Sequence, residues 1–572
     1  MARRPDARPR LESALGALGV AGAAGLTGAL AGAPGGAAVG WGVLAGLLAG
    51  AVAAALWRAG ALLAVRSGRA PRDALALGAL PLLPWVAGWP LLVQAALDPL
   101  ARLQLTAGRG AVLAYLGAWT LAGLGGVALW VRAVPATGAV WAPAAAPAAG
   151  PPPAPAAWWL ALPLLALAGL AYWNGAVLDP LQFRGFPDYV TQMGGARRLL
   201  AGELPYNPDI RVWTDVNLPP ITLLVLFAPF SAFDELGGKL AYFLLNHAAF
   251  LAALGVLLVV SRPPARRADP LLWGSAVAAM AMTFEPWHDS LRLGQQNGVV
   301  FLCLALCLAA LLTRRDGLAG VALAAALIGK PSSALLGLYF LFARRWRAVI
   351  GAAAFGVGVF LLTLPWAGWD NWRFYLLDKA PQILAGTPQQ SNVALLALHA
   401  RLFLPPDALS SFDAMPALPP AQTLTRVAQL LGALALWRLT ATRWRPAPGG
   451  RTPGPGPERL AWHLEFAVAL VLSLSLVGHA WQSYVTWLIV AFVPLADPRA
   501  WAAVPGWPGR AVAALAVAGY ASVALYDVAL YRVIGNASAA ATVFASLPNA
   551  MLLVLAFALA VLRGAVGRRP AD

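Results

Sequence analysis

Asp188 is the residue of this sequence best placed to act as a base. It lies in the stretch RGFPDYVTQMGGARRLLAG, where Val190, Met193 and Leu200 recur at helical spacing, Arg197 and Arg198 are polar, and Gly202 is a C-cap signal. The pattern predicts an amphipathic helix of the kind that lies along a membrane surface. Asp188 stands just ahead of its first turn and has two readings. It either caps the helix, or it is a carboxylate at a lipid–water boundary, desolvated enough to take a proton from a hydroxyl. A second unusual residue is Lys330, followed by Pro331. Lysine occurs only there and at Lys239 and Lys379 in a chain rich in arginine, which points either to a need for a compact ammonium or to a snorkelling lysine at a broken helix. Polar side chains gather again at EPWHDSLRLGQQN (His288, Asp289, Gln295, Gln296, Asn297), at Gln389 and at His479.

The elements that must position these groups are membrane helices. Of 572 residues, 60% are hydrophobic and 11% charged, more apolar surface than a soluble core absorbs. Runs of roughly 20 apolar residues recur along the chain, each long enough to cross the hydrocarbon layer. Backbone groups in lipid must be satisfied within each span, so the expected fold is all-α and polytopic. The net charge of +17 comes from short arginine clusters between apolar runs rather than from one basic face, so no nucleic-acid partner is expected; the clusters read as topogenic charges facing anionic lipid. Cys303 and Cys307 share an apolar run at helical spacing and read as packed thiols. No carboxylate pair shows metal spacing, and neither metal nor cofactor is expected.

Placing the arginine turns on the cytoplasmic side gives about sixteen membrane segments with both termini inside. The first, after MARRPDARPR, reads as a retained signal anchor. Residues 1–134 form a module of about four Ala/Gly-rich helices, 135–157 a Pro/Ala-rich linker, and 158–572 the core. Two apolar pieces broken at Lys330-Pro331 predict a hairpin whose tip is Lys330, about 20 Å from its base. With the sides set by arginines alone, the polar residues left over fall on the outer side: Asp188, Glu203, Asp215, Glu285, His288, Asp289, Arg292, Gln295, Asn297, Gln389, Gln390 and His479. That clustering predicts an outward-facing site in a multi-pass cell-membrane protein.

The Asp188 loop, its continuation LLAGELPYNP, NLPPITLLVLFAPF, LRLGQQNGVVFLCLALCLA and GLAGVALAAALIGKPSSALLGLYFLFARRWRA follow in the order that resembles glycosyltransferase family 87. The resemblance covers roughly Trp158 to Arg563. It implies a GT-C-type helical core, to which the N-terminal four-helix module is an addition, and a hexosyltransferase that moves mannose or a similar sugar from a polyprenyl-phosphate donor to a lipid or glycan acceptor, with inversion. Asp188 matches the aspartate expected as base in the first outer loop. A cation must meet the charge developing on the departing phosphate, and Lys330 fits, with Arg401 as a further phosphate contact.

The amides of Gln295, Gln296 and Asn297 would hold sugar hydroxyls or else cap the helix they open. His288 and Asp289 would assist in the same mouth or form a local ion pair in a solvated loop, and Gln389 would line the acceptor entrance. The segment SLVGHAWQSYVTWLIVAFVP departs from the family pattern. Gly478 stands where proline is expected, Ser483 takes the usual histidine place, and His479 precedes Trp481. The competing reading is a transporter or flippase for lipid-linked sugars.

Overall fold

The computed structural model describes residues 165–166, 168–169, 172–178, 180, 185–206, 220–263, 270–410, 418–441, 457–524 and 539–566. The expected N-terminal module, the linker and Asp215 lie outside the described residues. Among the described residues the regular elements are helices, besides one isolated bridge between Asn392 and Trp481. The labelled helices are α1 (Pro187–Leu200), α2 (Glu235–Val260), α3 (Pro270–Met282), α4 (Glu285–Leu293), α5 (Asn297–Leu312), α6 (Asp316–Gly329), α7 (Trp346–Ala367), α8 (Pro419–Ala441), α9 (Pro457–Leu476) and α10 (Ala539–Val566). Among the described residues four helices are long and apolar enough to cross a bilayer: α2, α7 and most of α9 and α10. The protein is an all-α polytopic membrane protein.

The described residues fall into two units. The smaller holds those up to Tyr172 with 269–283 and 505–510, and in it Ala276, Ala279 and Met282 of α3 pack about Ala168. The larger holds 173–268, 284–504 and the residues from 511 onward. Within it α9 is sheathed on nearly every side, whereas α7 is exposed along most of its length. Ile350, Val357, Leu361 and Leu362 of α7 are all more than half exposed, an apolar surface that only lipid suits. The sheathed α9 carries a charge, Glu465, which takes hydrogen bonds from Arg563 of α10 at 3.1 and 3.3 Å. A carboxylate buried at that depth persists only with such a partner.

One sequence expectation is made specific here and one changes. The first concerns α1, whose helix forms as expected, with Pro187 at its start and a Gly202 turn (φ +76°) at its end. Its buried face is Tyr189, Gln192, Met193, Ala196 and Leu199, while Val190 and Leu200 are exposed. The second concerns EPWHDSLRL, which is helix α4 and not a solvated loop. Pro286 starts it, Gly294 ends it in the left-handed region (φ +72°), and Glu285, Trp287, His288, Ser290 and Leu291 are buried.

The Lys330 hairpin is present. α6 rises 14 residues, about 21 Å, to Lys330. Pro331–Ser333 forms a 3-10 turn, and the helix Leu336–Phe342 returns. The two Arg-Arg turns beside it share one backbone form: Arg314 and Arg344 both adopt positive φ (58° and 54°), and the next arginine precedes a new helix. At this end Arg345 pairs with Asp316, Arg314 lies 3.4 Å from Glu458, and both guanidiniums face the Trp462 ring, at 4.6 and 5.6 Å. α6 and α7 meet through glycine: a Cβ on Gly320 would run into the carbonyl of Ala348, and one on Gly351 into that of Gly317. Small residues are what allow such backbone approach in lipid.

Gly320→Leu is therefore expected to destabilise the fold by about 1–3 kcal/mol or more, as overpacking does, and to lower the melting temperature of the detergent-solubilised protein. Leu318→Ala, on the exposed side of the same helix, is the control expected to change little. Equal melting of the Gly320 variant and the native protein would exclude this contact.

Candidate active site

The carboxamide of Gln295 is the centre to which the polar residues converge. Its Nε2 donates to Oδ2 of Asp188. Its Oε1 accepts from Ser483 Oγ at 2.7 Å, Asn297 Nδ2 at 2.9 Å and Lys330 Nζ at 3.3 Å. Three donors on the oxygen and a carboxylate at the nitrogen leave the amide one orientation. Asp188 and Lys330 are thus joined through one side chain without forming an ion pair. Lys330 also sits 4.0 Å above the ring of Tyr484, a cation–π contact strengthened by desolvation.

Local backbone chemistry explains how these groups arrive together. Gly294 is the hinge. Its positive φ turns the chain from α4 into α5, and a Cβ there would strike Phe186 and Tyr189. Only glycine lets the start of α1, with Asp188, close over Gln295. The N-cap position of α1 belongs to Phe186, in the left-handed conformation, with no side-chain cap bond. Asp188 is accordingly not the helix cap, and its carboxylate is spent on Gln295. Gln296 fixes the other component: its Nε2 donates to the carbonyl of Gly329 at 2.8 Å, and its Oε1 accepts from Gln192 at 3.3 Å and Tyr242 at 3.5 Å. One glutamine of the pair thus holds the Lys330 side chain and the next holds the backbone turn that presents it. Asn297 reaches back to Ser290 Oγ at 3.0 Å, tying α4 to the group.

The electrostatics follow from burial. Loss of water pushes the Asp188 carboxyl above its ordinary range, against the opposing pull of Lys330 and of the Gln295 bond. Burial brings Lys330 down to about 7, against the pull of Asp188. Burial thus raises the pKa of the carboxyl and lowers that of the ammonium, and each group's charge partly offsets the shift of the other. Asp188 keeps partial exposure while Lys330 is 7% exposed.

His479 borders this cluster. Burial, with the Lys330 charge, lowers it to about 3, so its imidazole is neutral. Its ring stands edge-on to Trp481 (4.4 Å) and Tyr484 (6.3 Å), and its carbonyl accepts from Ser332 Oγ at 3.2 Å, on the Lys330 turn. His288 is not among the groups bonded to Gln295. Its Nδ1 lies 3.5 Å from Glu285, which also faces Arg292 at 3.8 Å. This is the local ion-pair group of the alternative reading, but buried in a helix. Asp289, partly exposed on α4, has no bond to Asp188, Gln295 or Lys330.

Arg401 does something other than meet a phosphate. Nε donates to Pro388 O (3.0 Å), Nη1 to Ala545 O (2.7 Å) and Asn549 Oδ1 (3.1 Å), and Nη2 to Gln389 O (2.6 Å) and Asn392 O (2.9 Å). All five N–H donors are consumed. Gln389 likewise turns inward, its Oε1 accepting from Ser391 N at 2.7 Å. The loop so held braces the segment that carries His479, with Val393 N to Ala480 O at 2.7 Å and Gln482 N to Ser391 O at 2.8 Å. Arg401 and Gln389 are thus a scaffold for the wall behind Lys330 instead of ligands.

Ser483, Tyr484, Gln192 and Tyr242 complete the cluster and were missed by sequence reasoning. Ser483 was read as a departure where a histidine was expected, although a hydroxyl there suits a glutamine oxygen. Gln192 carried a usable signal, a polar residue on the buried face of α1. Among the described residues no three His, Cys, Asp or Glu side chains converge in a metal-binding arrangement. Cys303 and Cys307 are free thiols.

Residues 218–473, a little under half of the chain, match the family model described as Glycosyltransferase family 87. No curated protein and no solved structure matches the chain. The matched segment contains Gln295, Gln296, Asn297, Lys330 and Arg401; Asp188, His479 and Ser483 flank it.

Arg401→Lys is expected to destabilise the protein, because one ammonium cannot reach the five acceptors, each such bond contributing roughly 1–3 kcal/mol. In whatever protein folds, the KM for substrate should stay within about twofold, since the guanidinium binds no ligand. A selective KM rise in a variant of native melting temperature would return Arg401 to the ligand site.

Proposed function

We propose that this protein is an integral membrane glycosyltransferase. In this reading it moves a hexose, with mannose the expected sugar, from a polyprenyl-phosphate donor to a lipid or glycan acceptor at the outer face of the cell membrane. The observation that carries the reading is the single Gln295 amide bonded to both the Asp188 carboxylate and the Lys330 ammonium. The family match supports sugar transfer, and four membrane-length helices support a lipid-borne substrate. The outward placement rests on the arginine turns at the opposite end of α6 from Lys330.

The steps balance with these residues alone. The acceptor hydroxyl approaches the open side of Asp188, which takes its proton as the oxygen attacks the anomeric carbon. The bond from that carbon to the donor phosphate breaks, and the phosphate oxygen leaves with the electron pair. Lys330 lies where the charge develops, in low dielectric, and stabilises it. Attack and departure occur on opposite faces of the sugar, so one displacement inverts the configuration. The proton on Asp188 then passes to water. Gln295 holds the carboxylate in position and keeps base and ammonium apart, a role distinct from the sugar contact its sequence position suggested.

Asp188→Asn should lower transfer by at least about 10²–10⁴-fold, the contribution of a positioned base. The measurement is sugar transfer by purified protein in bilayers, supplied with a panel of polyprenyl-phosphate sugars. An Asp188→Asn protein as active as the native one would overturn the mechanism, and movement of labelled donor across the bilayer without its consumption would mark a transporter.

The pH profile supplies a further check. Transfer needs Asp188 deprotonated, so its rate should climb as pH rises through that group's raised pKa. It also needs Lys330 protonated, so the rate should fall as pH passes about 7. Lys330→Arg keeps its charge at high pH; single-turnover rates of this variant should lose the alkaline fall, whatever their absolute size.

A further inference from the structure

At the other end of α5 from Gln296 and Asn297, a narrow cleft opens among the C-terminal end of α2, the last residue of α5 and the first turn of α9. Its polar lining is Ser261, Arg262, Arg459, His463, Asp497 and Arg499. One carboxylate faces three guanidiniums, and it is taken. Asp497 receives Nη2 of Arg499 at 2.6 Å, Nε at 3.1 Å and the Arg499 backbone N–H at 2.9 Å. His463 offers no negative charge, as its Nε2–H donates to Val490 O at 2.8 Å.

Two donors there are without acceptors. Ser261 Oγ and Arg459 Nε are buried and have no hydrogen-bond partner. Arg459 and Arg262 have no carboxylate in salt-bridge range among the described residues. A buried guanidinium nitrogen and a buried hydroxyl left bare cost too much to stand unexplained. The first turn of α9, a 20-residue helix, lies on the same side, where its dipole favours an anion. Two uncompensated guanidiniums, a hydroxyl and a helix start describe a receptor for an oxyanion with two free oxygens. The cleft lies at the arginine-bearing end of the bundle, about 24 Å along α5 from the Gln295 cluster.

We propose that this cleft is a phosphate-binding site at the inner membrane surface, separate from the site of sugar transfer, whose ligand is the phosphodiester of an anionic phospholipid. It does not depend on the reaction assigned above.

The test uses full-length protein purified from nanodiscs of phosphatidylglycerol mixed with phosphatidylcholine, with retained lipid read by native mass spectrometry. The native protein should keep phosphatidylglycerol selectively. Arg459→Gln should keep about tenfold less, and Ser261→Ala about threefold less, as loss of a charged or neutral hydrogen bond to the anion implies. Should Arg459→Gln fail to fold, Ser261→Ala and the exposed Arg262→Gln decide the matter. Displacement of the lipid from the native protein by millimolar inorganic phosphate would assign the same site to free phosphate. Equal retention by native and variant proteins, with water alone filling the cleft, would overturn the proposal. Arg314→Gln, at the same end but outside the cleft, should leave retention unchanged.

Discussion

A carboxylate and an ammonium placed near one another in low dielectric collapse into an ion pair, or neutralise by passing a proton, unless a polar group stands between them. Here that group is the Gln295 amide, which presents a donor to Asp188 and an acceptor to Lys330. Everything nearby serves to keep it from turning. Ser483 and Asn297 fix its oxygen, Gln296 fixes the Lys330 turn, and Gly294 lets α1 close on it. Separation matters here as much as proximity: carboxylate and ammonium share a site because neither satisfies the other.

The large features were legible in the sequence because they obey one-dimensional rules. Apolar length fixed the helices, the Lys-Pro break placed the hairpin tip, and the Arg-Arg turns marked one end of the bundle. The meeting of Asp188 and Lys330 could be guessed from chemistry and resemblance, but the residue joining them could not. From sequence Gln295 reads as a sugar contact or a helix cap, because an amide at a helix start suits either, and only contacts 107 and 35 residues distant join it to a carboxylate and an ammonium.

The errors share a cause. In a membrane protein the outside is apolar too, so hydrophobic periodicity no longer distinguishes core from surface. That is why Val190 and Leu200 of α1 can be apolar and yet exposed. It is also why charged residues in EPWHDSLRL looked solvated when Glu285 and His288 are buried against each other. Arg401 shows the complementary limit: its charge invited a phosphate, whereas its five donors fasten a loop to α10.

α6 is fastened at both ends, by the Arg345–Asp316 pair where it begins and by Gln295 and Gln296 where it delivers Lys330. Inserting or deleting one residue would turn its end by about 100° and shift it by about 1.5 Å. Side chains along such a helix can drift among small apolar types over evolutionary time, but its length cannot. The count of residues between Asp316 and Lys330 is thus itself a structural constraint, since it sets both the height and the direction at which the ammonium stands.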